Sequence, residues 1–384
     1  MASATATVQD AYDHVRCAYG GAVGRHRRDV VTPALILDLP AARRNIEKMG
    51  ERMATLPADL RPHVKVHKSP ELARMQMAAG AIGVSTATVW EAIVMVVSGI
   101  DGVFVVNTVA GRDKLAALAA LARDADVMVA VDDADNAGEI AAAAREAGST
   151  LGVLVELDTG MDRAGVDTTE AAISLARKLV EQDGIRLLGL TGYEGHCSLT
   201  PERDLRHERQ QKAMGFLVET AEAFHSDGLP CPIVSAAGTA TWEWTASFPG
   251  VTESQAGSYV VMDNFHGAMV PDFEHAVTVL ATVISRPPGK VIVDAGNKSI
   301  GAPALASIVG HDEFPSFRFD EEHGIFSAAP EAGLRVGDVV ELVPGYAPGT
   351  VNWYDAYHVV EDERVVDVWP VIPRGPGHGG LLVG

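Results

Sequence analysis

Eight short apolar runs, each followed by a longer stretch with apolar residues three and four apart, narrow the fold of this chain more than any other feature. The runs are residues 63–67, "AIGVS" (81–85), "GVFVVN" (102–107), "DVMVAV" (126–131), "LGVLVEL" (151–157), "IRLLGL" (185–190), "PIVSA" (232–236) and "SYVVMD" (258–263). Between them lie helical patterns such as "GRDKLAALAALARDA" and "DTTEAAISLARKLVEQDG". Strands that alternate with helices form a parallel sheet covered on both faces. Eight of them predict a closed α/β barrel of the (β/α)8 kind over residues 40–275, with an open doubly wound sheet as the structural alternative.

After about residue 275 the pattern changes. "AVTVLATVISRPPGKVIVDAG", "LRVGDVVELVP" and "YDAYHVVEDERVVDVWPVI" are strand-like runs broken by glycine, proline and acidic turns. They predict a C-terminal all-β domain over 276–384. "TPALILDL" (32–39) is also strand-like, precedes the barrel, and is expected to return to that β domain. Residues 1–31 are left as an N-terminal extension.

Partners are bounded by charge. A formal net charge of -20 argues against a nucleic-acid backbone or an anionic membrane as the main partner. No apolar run reaches membrane-span length, and "MASATATVQDAYDHVRCAYG" lacks a secretory pattern. Cys17, Cys197 and Cys231 are odd in number and not at metal-ligand spacing. A soluble cytoplasmic protein with a small-molecule ligand is the expectation.

"RPHVKVHKS" (61–69) carries the chemistry. Read as a strand with period two, it turns Val64 and Val66 toward the helices and points His63, Lys65 and His67 inward. A lysine inside a barrel is costly unless paired or uncharged, and covalent use as a Schiff base avoids that cost. Lys68, of opposite parity, is expected on the surface. Asp158 and Arg163 in "ELDTGMDRAGV" (156–166) leave strand five at the end where barrels place functional groups, although an ordinary loop ion pair reads the same way. "GYEGHCS" (192–198) adds Tyr193 and His196. The small residues of "SAAGTATW" (235–242) and "SQAGSYVVMD" (254–263) let backbone amides approach an anion, with Ser235, Thr239, Thr241 and Ser258 as hydroxyl donors. A lysine leaving strand one and a phosphate cradle after strands seven and eight together point to pyridoxal 5′-phosphate (PLP).

From "TPALILDL" to "VVDVWPVIPRG" the chain resembles the fold-type III PLP enzymes of the D-threonine aldolase and D-serine dehydratase group, relatives of alanine racemase. The resemblance is carried by "RPHVKVHKS", "TATVWEA", "ELDTGMDRAGV", "GYEGH", "SAAGTAT", "VTESQAGSYVVMD" and "VIVDAGNKS", in order. It implies that Lys65 forms the Schiff base, that Arg163 meets the cofactor's ring hydroxyl, and that Tyr193 faces the pyridine nitrogen. Gly238, Thr239, Gly257 and Ser258 resemble the phosphate loops. A homodimer is also implied.

One stretch departs from that group. Its aldolases and dehydratases hold a divalent metal through a C-terminal histidine and, two positions on, a cysteine or aspartate. In "PGYAPGTVNWYD" (344–355), Tyr346 and Pro348 stand there instead, so the usual metal site is expected to be absent. Work otherwise done by a metal then falls to a side chain, with His63, His67, His196, Tyr346 and His358 as candidates. The resemblance implies a lyase acting on a β-hydroxy-D-amino acid, by aldol cleavage or dehydration. An amino-acid racemase with Tyr346 as second acid/base is the alternative, and a non-catalytic PLP-binding carrier is a third reading.

Overall fold

The computed structural model describes residues 2–301, 305–329 and 333–376, so residue 1 and the last eight positions of the expected terminal segments lie outside the described residues. Two sheets organise the chain. The first is parallel and eight-stranded, built from β2 (Asp59–Leu60), β3 (Val84–Thr86), β4 (Val103–Val105), β5 (Val127–Val131), β6 (Leu151–Leu157), β7 (Ile185–Gly192), β8 (Ile233–Ala236) and β9 (Glu253–Ser254). The ladder runs from β3 round to β9 and on to β2. It closes where the Ile82 amide donates to Leu60 O (2.9 Å) and the Ser85 amide to Pro62 O (2.9 Å). The expected closed barrel is therefore present.

Its helices follow from local chemistry. Ala134–Ala147 starts at Asp133, whose carboxylate accepts from the Asn136 amide, and stops at Gly148 in the left-handed region (φ 67). Ala137, Ile140, Ala141 and Ala144, spaced by three and four, are its buried stripe. Every residue of β5 is buried because one face meets such helices and the other the barrel interior. There Phe104, Met128, Ala130 and Leu154 form a separate apolar cluster that plugs the barrel beneath its mouth.

The second sheet is nine-stranded. It contains β1 (Ala34–Asp38), β10 (Val277–Ser285), β11 (Lys290–Val293), β12 (Ser307–Ile308), β13 (Ser316–Phe319), β14 (Gly324–Ser327), β15 (Val339–Val343), β16 (Ala356–Glu361) and β17 (Arg364–Pro370). β1 lies at its centre, antiparallel to β10 and parallel to β16. "TPALILDL" thus contributes its strand to the C-terminal sheet.

Two strand boundaries differ from the sequence reading. Residues 63–67 do not continue a strand: β2 ends at Leu60, and Val64–Val66 form one 3-10 turn. His63 Nδ1 accepts from the Lys65 amide (3.3 Å), which takes that amide out of any ladder. Residues 258–263 likewise open with a 3-10 turn, Ser258–Val260, and β9 lies earlier, at Glu253–Ser254. A Cβ on Gly257 would sit 2.2 Å from His63 O, so the two turns pack backbone against backbone and only glycine fits. No helix among the described residues is long and apolar enough to cross a membrane.

Candidate active site

The two turns form one wall of a cavity of about 290 Å³ at the carboxyl ends of the barrel strands. Lys65 reaches it from the turn after β2, its Nζ 5.7 Å from the centroid of the Tyr193 ring at the end of β7. Arg163, from the loop after β6, lies over the same ring, Cζ 5.9 Å from the centroid. That ring has little room to move. A Cβ on Gly195 would lie 2.3 Å from one of its edge carbons and a Cβ on Gly238 3.0 Å from another.

His63, Lys65, Arg163, Tyr193, Gly238, Thr239, Gly257, Ser258 and Tyr346 all line the cavity. Ser235 and His67 do not. Ser235 is buried below the floor, where its hydroxyl accepts from Gln255 Nε2 (2.9 Å), and it is Gln255 that faces the cavity. His67 is fully buried with both ring nitrogens engaged, Nδ1 with the Ser69 amide (3.1 Å) and Nε2 with Gln76 Oε1 (3.1 Å). The turn, rather than strand parity, therefore sorts these side chains. His196 and His358 also lie off the cavity lining, His358 against Leu35 O between the sheet's central strands.

Lys68 is not on the surface. It is buried, its ammonium 2.6 Å from Glu91 Oε1 and donating to Pro373 O (2.9 Å). The other oxygen of Glu91, in "TATVWEA", accepts from the amide of Ala87, which lines the cavity (2.6 Å). One buried carboxylate thus fixes the lysine turn and the loop after β3 together. Among the described residues Asp158 is also not half of an ion pair. It accepts from the amides of Gly160, Met161 and Asp162, and Arg163 instead approaches Glu156 (3.8 Å).

The electrostatics follow from enclosure. Desolvation pushes the Lys65 amine below its ordinary value, Arg163 and Lys68 push the same way, and Glu91 opposes them. Burial drives His63 well down, helped by Lys65 and Lys68. Tyr193 is pushed up to about 12 by burial and by the neighbouring Glu194 carboxylate, so it is a neutral phenol. Burial and Asp263 likewise raise Tyr346. Glu156 is raised to about 7 by burial against the pull of Arg163, and its Oε2 has no hydrogen-bond partner among the described residues.

The cavity suits an anionic cofactor. Thr239 Oγ1 is buried with no partner among the described residues, an orphaned donor on the cavity wall beside Gly238. Its loop is held by Glu194, which accepts from the Thr241 (2.6 Å) and Thr245 (2.7 Å) hydroxyls and from the Ala237 amide (3.2 Å). An amine, a guanidinium, a neutral phenol and a glycine-lined cradle fit the aldehyde, ring hydroxyl, ring nitrogen and phosphate of PLP.

Several cavity residues escaped sequence reading: Glu156, Gln255 and His266. The first two sit inside quoted motifs but were overshadowed by their neighbours. His266 has a legible signal, an aspartate three positions earlier at N-cap spacing, yet only the register of "NFHG" against "PGYA" turns it to the cavity.

Comparison with known proteins follows the same outline. Residues 37–264 match the alanine racemase N-terminal domain family and 276–360 the serine dehydratase domain family. A D-threonine aldolase from Arthrobacter sp. is 37% identical, over 90% of this chain and 93% of its own. A D-threo-3-hydroxyaspartate dehydratase from Delftia sp. (strain HT23) is 32% identical, over 88% and 96%. The crystal structure of a D-threonine aldolase from Filomicrobium marinum superposes with a TM-score of 0.89 at 36% identity, over 92% of this chain and 98% of that one. Alanine racemases are more distant: that of Mycobacterium ulcerans is 32% identical over 46% of this chain and 45% of its own.

Proposed function

This chain belongs to the alanine racemase N-terminal domain family and, along nearly its whole length, to that of the D-threonine aldolases; on that premise we propose that it cleaves a β-hydroxy-D-amino acid between Cα and Cβ with PLP as cofactor. The observation that carries the reading is the single cavity in which Lys65, Arg163, Tyr193 and the unpartnered Thr239 hydroxyl meet. Aldol cleavage is favoured over dehydration by the higher identity to the aldolase, and over racemisation by coverage of 90% of the chain rather than 46%.

When bound, PLP supplies an electron-accepting ring conjugated to the substrate's amine, which accommodates the electron pair left at Cα. The chain's own residues do the rest. Lys65, its amine destabilised as a cation, would hold the aldehyde and, as a free amine, would move a proton at Cα. Thr239 Oγ1, with the small residues Gly238, Gly257 and Ser258, would hold the phosphate. Arg163 would meet the ring hydroxyl. Tyr193 keeps its proton, so the pyridine nitrogen would face a neutral phenol instead of a carboxylate.

The two metal-ligand positions implied by the resemblance do not fit a divalent cation. Pro348 lies in the first turn of the helix Ala347–Val351 and has no side-chain donor atom, and burial holds the Tyr346 phenol in its protonated form. No step is derived through a metal.

The test is product analysis with D-threonine, accompanied by borohydride reduction of the resting protein. Glycine plus acetaldehyde, and a reduced adduct on the Lys65 peptide, are expected. Formation of 2-oxobutanoate would replace cleavage with dehydration. Exchange of the Cα hydrogen with deuterated solvent, with neither product, would replace the lyase with a racemase.

A further inference from the structure

We propose that His266, held by Asp263, is the base that takes the proton from the substrate's β-hydroxyl; this role rests on the cleavage reaction proposed above. Asp263 is completely buried. Its Oδ1 accepts from the His266 amide (2.7 Å) and lies 2.8 Å from His266 Nδ1. Its Oδ2 accepts from the Ala347 amide (2.7 Å). With both oxygens engaged, the carboxylate cannot swing away from the ring. An imidazole whose Nδ1–H donates to a carboxylate carries its lone pair on Nε2, the arrangement that fits a histidine for general-base work.

His266 lines the cavity, and its Nε2 has no protein partner among the described residues. The segment that carries it is pinned to the C-terminal sheet, since the Asn264 and Phe265 amides donate to Pro344 O (3.1 Å) and Gly345 O (3.2 Å). His266 therefore stands beside Tyr346, the position where the resemblance leads one to expect a metal-binding histidine. Its ring stacks on Tyr346 at 6.0 Å between centroids, and Phe265 meets both rings edge-on. The remaining titratable groups on the cavity wall are Lys65, His63, Glu156, Arg163 and Tyr193.

Those groups are weaker candidates for the task. His63 already uses Nδ1 to accept from the Lys65 amide, and burial makes it a poor base. Tyr193 and Tyr346 hold their protons. Glu156 faces Arg163, and Lys65 serves the proton at Cα. In the step itself, Nε2 takes the hydroxyl proton and the O–H electron pair becomes the second bond of the aldehyde. The Cα–Cβ bond breaks with its electrons remaining at Cα, which then takes up a proton. D-threonine gives glycine and acetaldehyde, and His266 returns its proton to solvent.

Two variants and one non-reacting ligand test this. In His266→Gln, the side-chain amide retains a polar atom near the place of Nε2 but cannot accept a proton. Expected are a kcat lower by roughly 100- to 10,000-fold, a KM for D-threonine within about threefold, and an intact borohydride-reducible Lys65 adduct. In His266→Ala, binding of D-2-aminobutanoate, which lacks only the hydroxyl, is expected to stay within about threefold, because the residue acts on the missing group. If wild type cleaves D-threonine and His266→Gln is as fast, the reaction stands and this role falls. If wild type cleaves no β-hydroxy-D-amino acid, both fall. Should the variants fail to retain the adduct, a crystal structure of the wild type with N-phosphopyridoxyl-D-threonine decides. His266 Nε2 within hydrogen-bond distance of the β-hydroxyl supports the role, and a wider separation overturns it.

Discussion

Tyr346 lies stacked on His266, their ring centroids 6.0 Å apart and their planes inclined by 21°. The pair joins the barrel's last loop to the C-terminal sheet at the cavity wall, and it lets ring and hydroxyl be separated by mutation. Tyr346→Phe keeps the stack and deletes one donor. Stability is expected to change by less than about 1 kcal/mol, while kcat/KM for D-threonine falls roughly 10- to 100-fold. Steady-state kinetics beside urea unfolding checks both. An unchanged kcat/KM would mean that Tyr346 contributes only its ring.

Thr239 gives a prediction with opposite signs in two states. In the protein alone its hydroxyl is buried and has no partner among the described residues. Thr239→Val removes an unsatisfied polar atom, so the cofactor-free protein should lose no stability and gain up to about 1 kcal/mol. The same change removes a donor from the phosphate, and PLP affinity should weaken by roughly tenfold or more. Calorimetry of the cofactor-free protein and a PLP titration followed by absorbance read the two effects separately.

Glu156 should make stability depend on pH. Burial raises its carboxyl from 4.5 to about 7, so the folded chain keeps a proton that the unfolded chain releases. That contribution is complete below pH 4.5 and is lost as pH rises from 4.5 to about 7. The loss is on the order of 3 kcal/mol by linkage. Subtracting the unfolding profile of cofactor-free Glu156→Gln from that of wild type should isolate this slope, and a flat difference would refute it.

Lys68 and Glu91 form a buried pair whose members should fail separately and survive jointly. Lys68→Met leaves a buried carboxylate without its cation, at a cost of roughly 3–5 kcal/mol. Adding Glu91→Leu removes that stranded charge and should restore much of the loss, although the Ala87 amide then lacks its acceptor. Urea midpoints of the two single variants and the double variant form the cycle.

The repeating architecture was legible because every barrel strand meets helices on one side and a packed interior on the other, so each reads as a nearly unbroken apolar run. β5 and β6 match their runs almost residue for residue. Legibility fails at the barrel mouth. There "HVKVH" alternates like a strand, but a side-chain cap on Lys65 and the close approach of Gly257 bend it into a turn. Lys65 nevertheless faces the cavity, since both conformations bury Val64 and Val66 and leave the lysine facing inward. His67 was misplaced for the same reason. Lys68 could not be read, because its partner lies in a helix whose approach is a tertiary fact. His266 needed the registry of one sheet against the other barrel end.

The position of β1 has a consequence for how the chain comes into being. Leu35, Ile36 and Leu37 are completely buried in the finished protein, between β10 and β16. They leave the ribosome before any barrel strand and must wait until residues 277–285 and 356–361 have been made. All eight barrel strands can pair in the interval. During that time a bare apolar segment with open backbone groups hangs from one end of a nearly completed barrel, a state prone to pairing with the wrong neighbour. For a nascent chain of this design, the period of greatest exposure to aggregation comes after the cavity has been assembled.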